Sequence, residues 1–219
     1  MAKDLAIVLN NGSLNSAVAT AMAAQKYRPI LVFIDLSPDR ASRSHLAYDQ
    51  QVAHFKPYRE HTIPMPFLSL LQPQSATAAH SIDPRQATLV APHVTDLLPI
   101  AAMGLRLAAY YQAAALYMGL RVGPGADELA VATEYVQILN ELLQLPCNQP
   151  ELELVTPLLE LEPWQVVDVG YQVAAPLEKT CSCIEEKGEA CWACTGCHAR
   201  ALAFQHAGKP DPLQVPQKP

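Results

Sequence analysis

The chain has 219 residues, half of them hydrophobic, and a net charge of −6, which is enough apolar material for one sizeable core. Its acidic balance argues against a broad nucleic-acid surface, which needs a basic patch, but leaves room for a local site for a small anion. No apolar run reaches the ~20 residues that span a bilayer, and the N-terminus lacks a leader pattern, so a cytoplasmic protein without a membrane partner is expected.

"LAIVLN" (5–10) reads as a short buried strand, followed by a small polar turn and an alanine-rich helix, "SAVATAMAAQ" (16–25). "PILVFIDL" (29–36) is apolar on both faces, as in a parallel sheet covered by helices. "SRSHLAYDQQVAHF" (42–55) reads as an amphipathic helix turning Leu46, Val52, Ala53 and Phe55 inward, and "YREHTIPM" (58–65) as a third strand. Residues 66–93 are broken by prolines. A long apolar helix (96–114), a strand (115–122), a helix (127–145) with Leu129, Tyr135, Val136, Leu139 and Leu143 on one face, and a strand (152–161) follow. A helix with proline in its first turn (163–173) leads to a cysteine-rich run, and a last helix (198–208) closes at Gly208. Strands alternating with helices predict an α/β fold with a mainly parallel, twisted sheet flanked by helices. Ligands bind such sheets at the carboxyl ends of the strands, where the first turn lies.

Five of the six cysteines crowd into "CSCIEEKGEACWACTGC". From Cys183 the spacing to Cys191, Cys194 and Cys197 is C-x7-C-x2-C-x2-C, which suits a closed structural zinc site of four thiolates. An iron–sulfur cluster or a redox CxxC are the rival uses. Cys181 is surplus to four ligands. His198 reads as a polar residue of a helix's first turn, and Cys147 as a core residue. The zinc-bound segment divides the chain into 1–174, an α/β domain; 175–208, a small helical segment packed on it; and 209–219, a flexible tail.

The first turn is less telling alone. Asn11, Gly12, Ser13, Leu14, Asn15 and Ser16 match neither the Walker loop nor G-x-G-x-x-G. Small polar residues there can hold phosphates through backbone N–H groups, or Asn15 or Ser16 can simply cap the helix.

Turn and cysteines together resemble the 7-cyano-7-deazaguanine synthases, queuosine-pathway members of the N-type ATP pyrophosphatase (PP-loop) superfamily. That family opens with a strand and an S-G-G-x-D-S loop, to which residues 11–16 correspond. It closes with a threonine, a cysteine, C-x2-C-x2-C and an arginine-bearing helix, matched by Thr180, Cys183, Cys191, Cys194, Cys197 and Arg200. "VTPLLELEPWQVV" (155–167) resembles its "TPL" strand and following helix. The resemblance implies an adenine nucleotide alpha-hydrolase-like fold and a homodimer. It further implies bound zinc, ATP with Mg²⁺ over residues 11–16, and a deazaguanine-like carboxylate joined to ammonia through an acyl-adenylate. The loop departs from the family pattern at Asn11, Ser13 and Asn15. The G-Q-R-H segment falls near residues 35–45, where Arg40 and Arg43 are the basic residues. The P-G-R-N segment falls near residues 90–98, where His93 stands without an arginine. "RVGPGADE" (121–128), with Arg121, occupies the place of T-G-x-x-x-x-D. The expectation is a retained scaffold whose chemistry is reduced or lost; the alternative is a non-catalytic nucleotide-, deazaguanine- or protein-binding homologue.

Overall fold

The computed structural model describes residues 4–36, 42–70, 94–123, 125–147, 151–185 and 188–214. Five strands form one sheet: β1 (Leu5–Leu9), β2 (Arg28–Asp35), β3 (Arg59–Pro64), β4 (Ala115–Met118) and β5 (Glu153–Val155). Their order is β3-β2-β1-β4-β5 and every neighbouring pair is parallel. The helices are α1 (Leu14–Lys26), α2 (Arg43–Phe55), α3 (Phe67–Leu70), α4 (Val94–Tyr111), α5 (Ala126–Cys147), α6 (Pro163–Gln172) and α7 (Thr195–His206).

Strand side chains alternate between the two faces, and two cores result. Ile7, Leu9, Ile30, Val32, Leu116 and Met118 meet Ala101, Leu105 and Ala108 of α4 and Leu139 and Leu143 of α5. Ala6, Val8, Leu31, Phe33, Ala115 and Tyr117 meet Ala23 of α1 and Tyr48 of α2. A third cluster joins Leu14 and Val18 of α1 to Val166 and Val167 of α6 and to Ala203 and Phe204 of α7. The cysteine-bearing helix is thereby fixed against the helix that follows the first turn.

Several expectations change in detail. In α2 the buried residues are His45, Ala47, Tyr48 and Gln51, whereas Leu46 is half exposed and Ala53 lies outside. The face turned because the single Tyr48 hydroxyl proton lies within reach of two strand carbonyls, Leu31 at 3.1 Å and His61 at 3.2 Å, and so the ring sits inside. The strand expected over 152–161 pairs only through Glu153–Val155. Arg40 and His93, the side chain of Cys147 and residues 71–93 lie outside the described residues, as do 215–219 of the expected tail. The tail's described beginning carries Asp211, which is 6% exposed. No helix among the described residues is long and apolar enough to cross a membrane.

Candidate functional site

β1 lies between β2 and β4, so the chain leaves it in one direction and later returns on its other side. The crevice beyond such a central strand is where open parallel sheets place ligands. The turn at residues 11–16 follows the carboxyl end of β1, at that point of the sheet.

The turn is built by its own short side chains. Asn10, buried, donates to Thr20 Oγ1 at 3.0 Å and to Gln51 Oε1 at 2.8 Å, and its Oδ1 accepts from the Gly12 N–H at 2.8 Å. Asn11 Oδ1 accepts from the Ser13 N–H at 3.2 Å and the Ser16 hydroxyl at 2.7 Å. Ser13 Oγ accepts from the Ser16 N–H at 3.2 Å, which makes Ser13, not Asn15 or Ser16, the N-cap of α1. The N–H groups of Leu14 and Asn15 are left without a protein acceptor among the described residues. They lie at the positive end of a 13-residue helix. The end of β4 closes one side: a Cβ on Gly119 would stand 2.9 Å from the Asn15 carbonyl group. Beyond it, Arg121 is half-buried, with Nη1 3.4 Å from the Leu161 carbonyl. Burial lowers its pKa and Glu162 partly opposes the shift.

Gly12 is required twice. Its φ is +77°, and a Cβ there would collide with the Ser44 carbonyl of α2. Its own carbonyl accepts from Gln51 Nε2 at 3.1 Å and from the Cys181 N–H at 2.9 Å, and Gln51 Nε2 also donates to the Lys179 carbonyl at 3.0 Å. The turn and the cysteine segment, far apart in sequence, share these bonds.

Cys183, Cys191, Cys194 and Cys197 bring their sulfurs within 4.8 Å of one another, close enough for one metal ion to touch all four. Cys183 Sγ is 3.5 Å from Cys191 Sγ and 3.9 Å from Cys194 Sγ. Gly196 permits this, because a Cβ there would strike the Ser182 carbonyl. Burial opposes ionisation of Cys194, but N–H donors from Ile184 and Cys197 and the neighbouring thiols outweigh it and bring its pKa down to about 6. Cys197, desolvated and donating to Cys194 and Cys183, is pushed up to about 12. His198 is exposed on α7 and lies outside the group of four, as does Cys181, whose Sγ is 3.6 Å from the Cys183 carbonyl oxygen.

Arg200 holds the segment from behind. Nε and Nη2 grip Asp211 at 2.7 and 2.9 Å, Nη1 donates to Thr180 Oγ1 at 2.6 Å, and Nη2 donates to the Leu177 carbonyl at 3.0 Å. Sequence reading paired Thr180 with Arg200 only by resemblance. Asp211, their buried partner, carried no local signal.

The family model of the queuosine biosynthesis protein QueC matches residues 5–208. A 7-cyano-7-deazaguanine synthase of Chlorobium chlorochromatii is 34% identical over 87 residues, which are 39% of this chain and 38% of that protein's length. A 7-cyano-7-deazaguanine synthase of Chloroherpeton thalassium is 25% identical over 225 aligned positions, covering 98% of each chain. Among solved structures, the U34-tRNA thiolase NcsA from Methanococcus maripaludis, with its 4Fe-4S cluster, aligns over 94% of this chain and 68% of its own. The TM-score is 0.50 and the identity 10%, a likeness of fold.

Proposed function

Because this chain belongs to the queuosine biosynthesis protein QueC family, within the PP-loop ATP pyrophosphatase superfamily, we propose that it is a 7-cyano-7-deazaguanine synthase-like enzyme of low turnover. ATP lies with its phosphates over residues 11–16. A carboxylate oxygen of a 7-carboxy-7-deazaguanine-like substrate attacks the α-phosphorus, and pyrophosphate leaves. Ammonia then attacks the acyl-adenylate; AMP departs and an amide forms. The amide oxygen attacks the α-phosphorus of a second ATP, pyrophosphate leaves, and loss of AMP with two protons gives the nitrile. The protein's contribution is electrostatic, through N–H groups and cations placed where phosphate charge develops.

The observation that carries this reading is the N–H pair of Leu14 and Asn15, without a protein acceptor among the described residues, at the head of α1 beyond the carboxyl end of β1. Low turnover follows from Asn15, whose neutral amide replaces the family's aspartate beside the phosphates. Mg²⁺, when bound there, neutralises phosphate charge, and a carboxylate holds it better than an amide. Pyrophosphate release, measured with ATP, ammonia and 7-carboxy-7-deazaguanine, tests the proposal. Asn15→Asp is expected to raise it at least about tenfold, since one strong electrostatic contact commonly carries on the order of a hundredfold in rate. Fast release and nitrile formation by the unaltered protein, with no gain in the variant, would refute low turnover. A second reading, binding of nucleotide or deazaguanine without turnover, is favoured by the N–H groups of Gly12, Ser13 and Ser16, which the turn's own side chains already occupy. Ligand binding with no pyrophosphate from either protein would establish it.

Cys183, Cys191, Cys194 and Cys197 hold zinc in this reading. A zinc ion with four sulfurs at about 2.3 Å would set them about 3.8 Å apart; two of the pairs stand at 3.5 and 3.9 Å, and all four sulfurs lie within 4.8 Å of one another. Zinc supplies a cross-link rather than chemistry, since no coordination position stays open. The protein is further proposed to be cytoplasmic and to pair with a second copy.

A further inference from the structure

Among the described residues, two buried side-chain nitrogens have no hydrogen-bond partner: Arg43 Nη1 and His45 Nδ1. Both belong to the first turn of α2, whose cap is Ser42, accepting from the His45 N–H at 3.3 Å. Buried polar nitrogens without a partner are rare and destabilising, so two on one turn call for an explanation. The turn contains no acidic residue, and it is the positive end of a 13-residue helix.

Its position is informative. The Ser44 carbonyl lies against Gly12, and Ala47 Cβ would be 3.1 Å from a Cβ on Gly12. Arg43 is within electrostatic reach of Cys181, whose N–H holds the Gly12 carbonyl. Arg43 therefore belongs to the helix turn that flanks residues 11–16 from α2, while the Asn15 carbonyl group and the Ser16 nitrogen face Gly119 at the end of β4. His45 is fixed in place. Its ring packs on Phe33 at 4.9 Å, its side chain is nine-tenths buried, and Nε2 is 3.7 Å from Asp49 Oδ1. Arg43 itself is only partly buried, so its guanidinium combines one sealed nitrogen with an accessible remainder. A guanidinium with one buried nitrogen unpaired suits a carboxylate or a phosphate oxygen.

We propose that Arg43, seated on the His45-bearing first turn of α2, binds an oxyanion of the substrate beside the turn at residues 11–16. This rests on the function proposed above, which brings two oxyanions to the site, the phosphates of ATP and the carboxylate of the second substrate.

Calorimetry and thermal unfolding of the full, metal-loaded chain distinguish the sources, with ATP, inorganic pyrophosphate and 7-carboxy-7-deazaguanine as separate probes. Arg43→Met is expected to raise the Tm of the ligand-free protein, because an unpaired buried donor is removed. It is also expected to weaken at least one probe by about tenfold or more, with Arg43→Lys partly restoring it. Loss confined to the deazaguanine assigns the carboxylate; loss of ATP and pyrophosphate assigns the phosphates. Affinities unchanged in Arg43→Met, and in Arg43→Gln should the first variant not fold, overturn the inference whatever the Tm. An unaltered protein that binds none of the three probes overturns it together with the proposed function, so the two failures are distinct.

Discussion

Ser13 stands where the family loop has its second glycine, and its backbone explains why serine is accepted. Its φ is −75° and ψ 167°, ordinary extended geometry for any residue, while the positive φ of the turn falls entirely on Gly12. Serine's resistance to positive φ therefore costs nothing here, and its hydroxyl caps α1. Ser13→Ala is expected to lose about 1 kcal/mol in denaturant melts, and Ser13→Gly only a few tenths. Gly12→Ala combines a left-handed backbone with the Ser44 carbonyl in the methyl's path. We expect it to cost at least about 2 kcal/mol, seen as a lowered midpoint with unchanged slope. The sequence made both positions visible as a turn. It could not apportion the strain between them, because Ser44 reaches Gly12 only after α2 has packed.

At the scale of the element, the cysteine segment was the most legible part of the chain. Its four clustered cysteines sit within fifteen residues, so local spacing suffices to gather their sulfurs. α2 was less legible: apolar periodicity pointed Leu46 inward, yet the buried polar residues Tyr48 and Gln51 found backbone partners and took the face instead. The orphaned nitrogens of Arg43 and His45 had no sequence signature, since burial without a partner is a property of tertiary packing. Metal uptake must remove the proton that Cys197 keeps at a pKa of about 12, whereas Cys194, at about 6, is largely ionised at neutrality. Metal affinity is therefore expected to fall as pH is lowered from about 8 to 6, and Cys194→Ser should lose the metal in elemental analysis. Arg200 and Asp211 form a buried ion pair with side chains 2% and 3% exposed. Removing one charge strands the other: Arg200→Met is expected to destabilise by about 3–5 kcal/mol, and Arg200→Met with Asp211→Leu by much less.

For the molecule as a whole, strand-helix alternation was enough to foresee a parallel sheet, but not that β1 would be central, which depends on where the long connection after β3 returns. The outer face of α5 is a whole-molecule feature too. Val131, Ile138 and Leu142 are 45%, 42% and 45% exposed and, with Tyr135, follow the 4-3-4 spacing of a helix-pairing seam. For the proposed second copy, Ile138→Glu is expected to shift sedimentation from dimer to monomer with unchanged circular dichroism; an unaltered oligomer would exclude this face. The bond from the Cys181 amide to the Gly12 carbonyl has a further consequence, in the time domain. A proton held there exchanges with deuterium only when the turn and the cysteine segment part, so one amide acts as a clock for their separation. Chelating the metal should quicken that clock while the amides of Ile7 and Val8, deep in β1, keep their slow pace. Occupancy at the sulfurs would then be readable in how long the turn and the cysteine segment stay together.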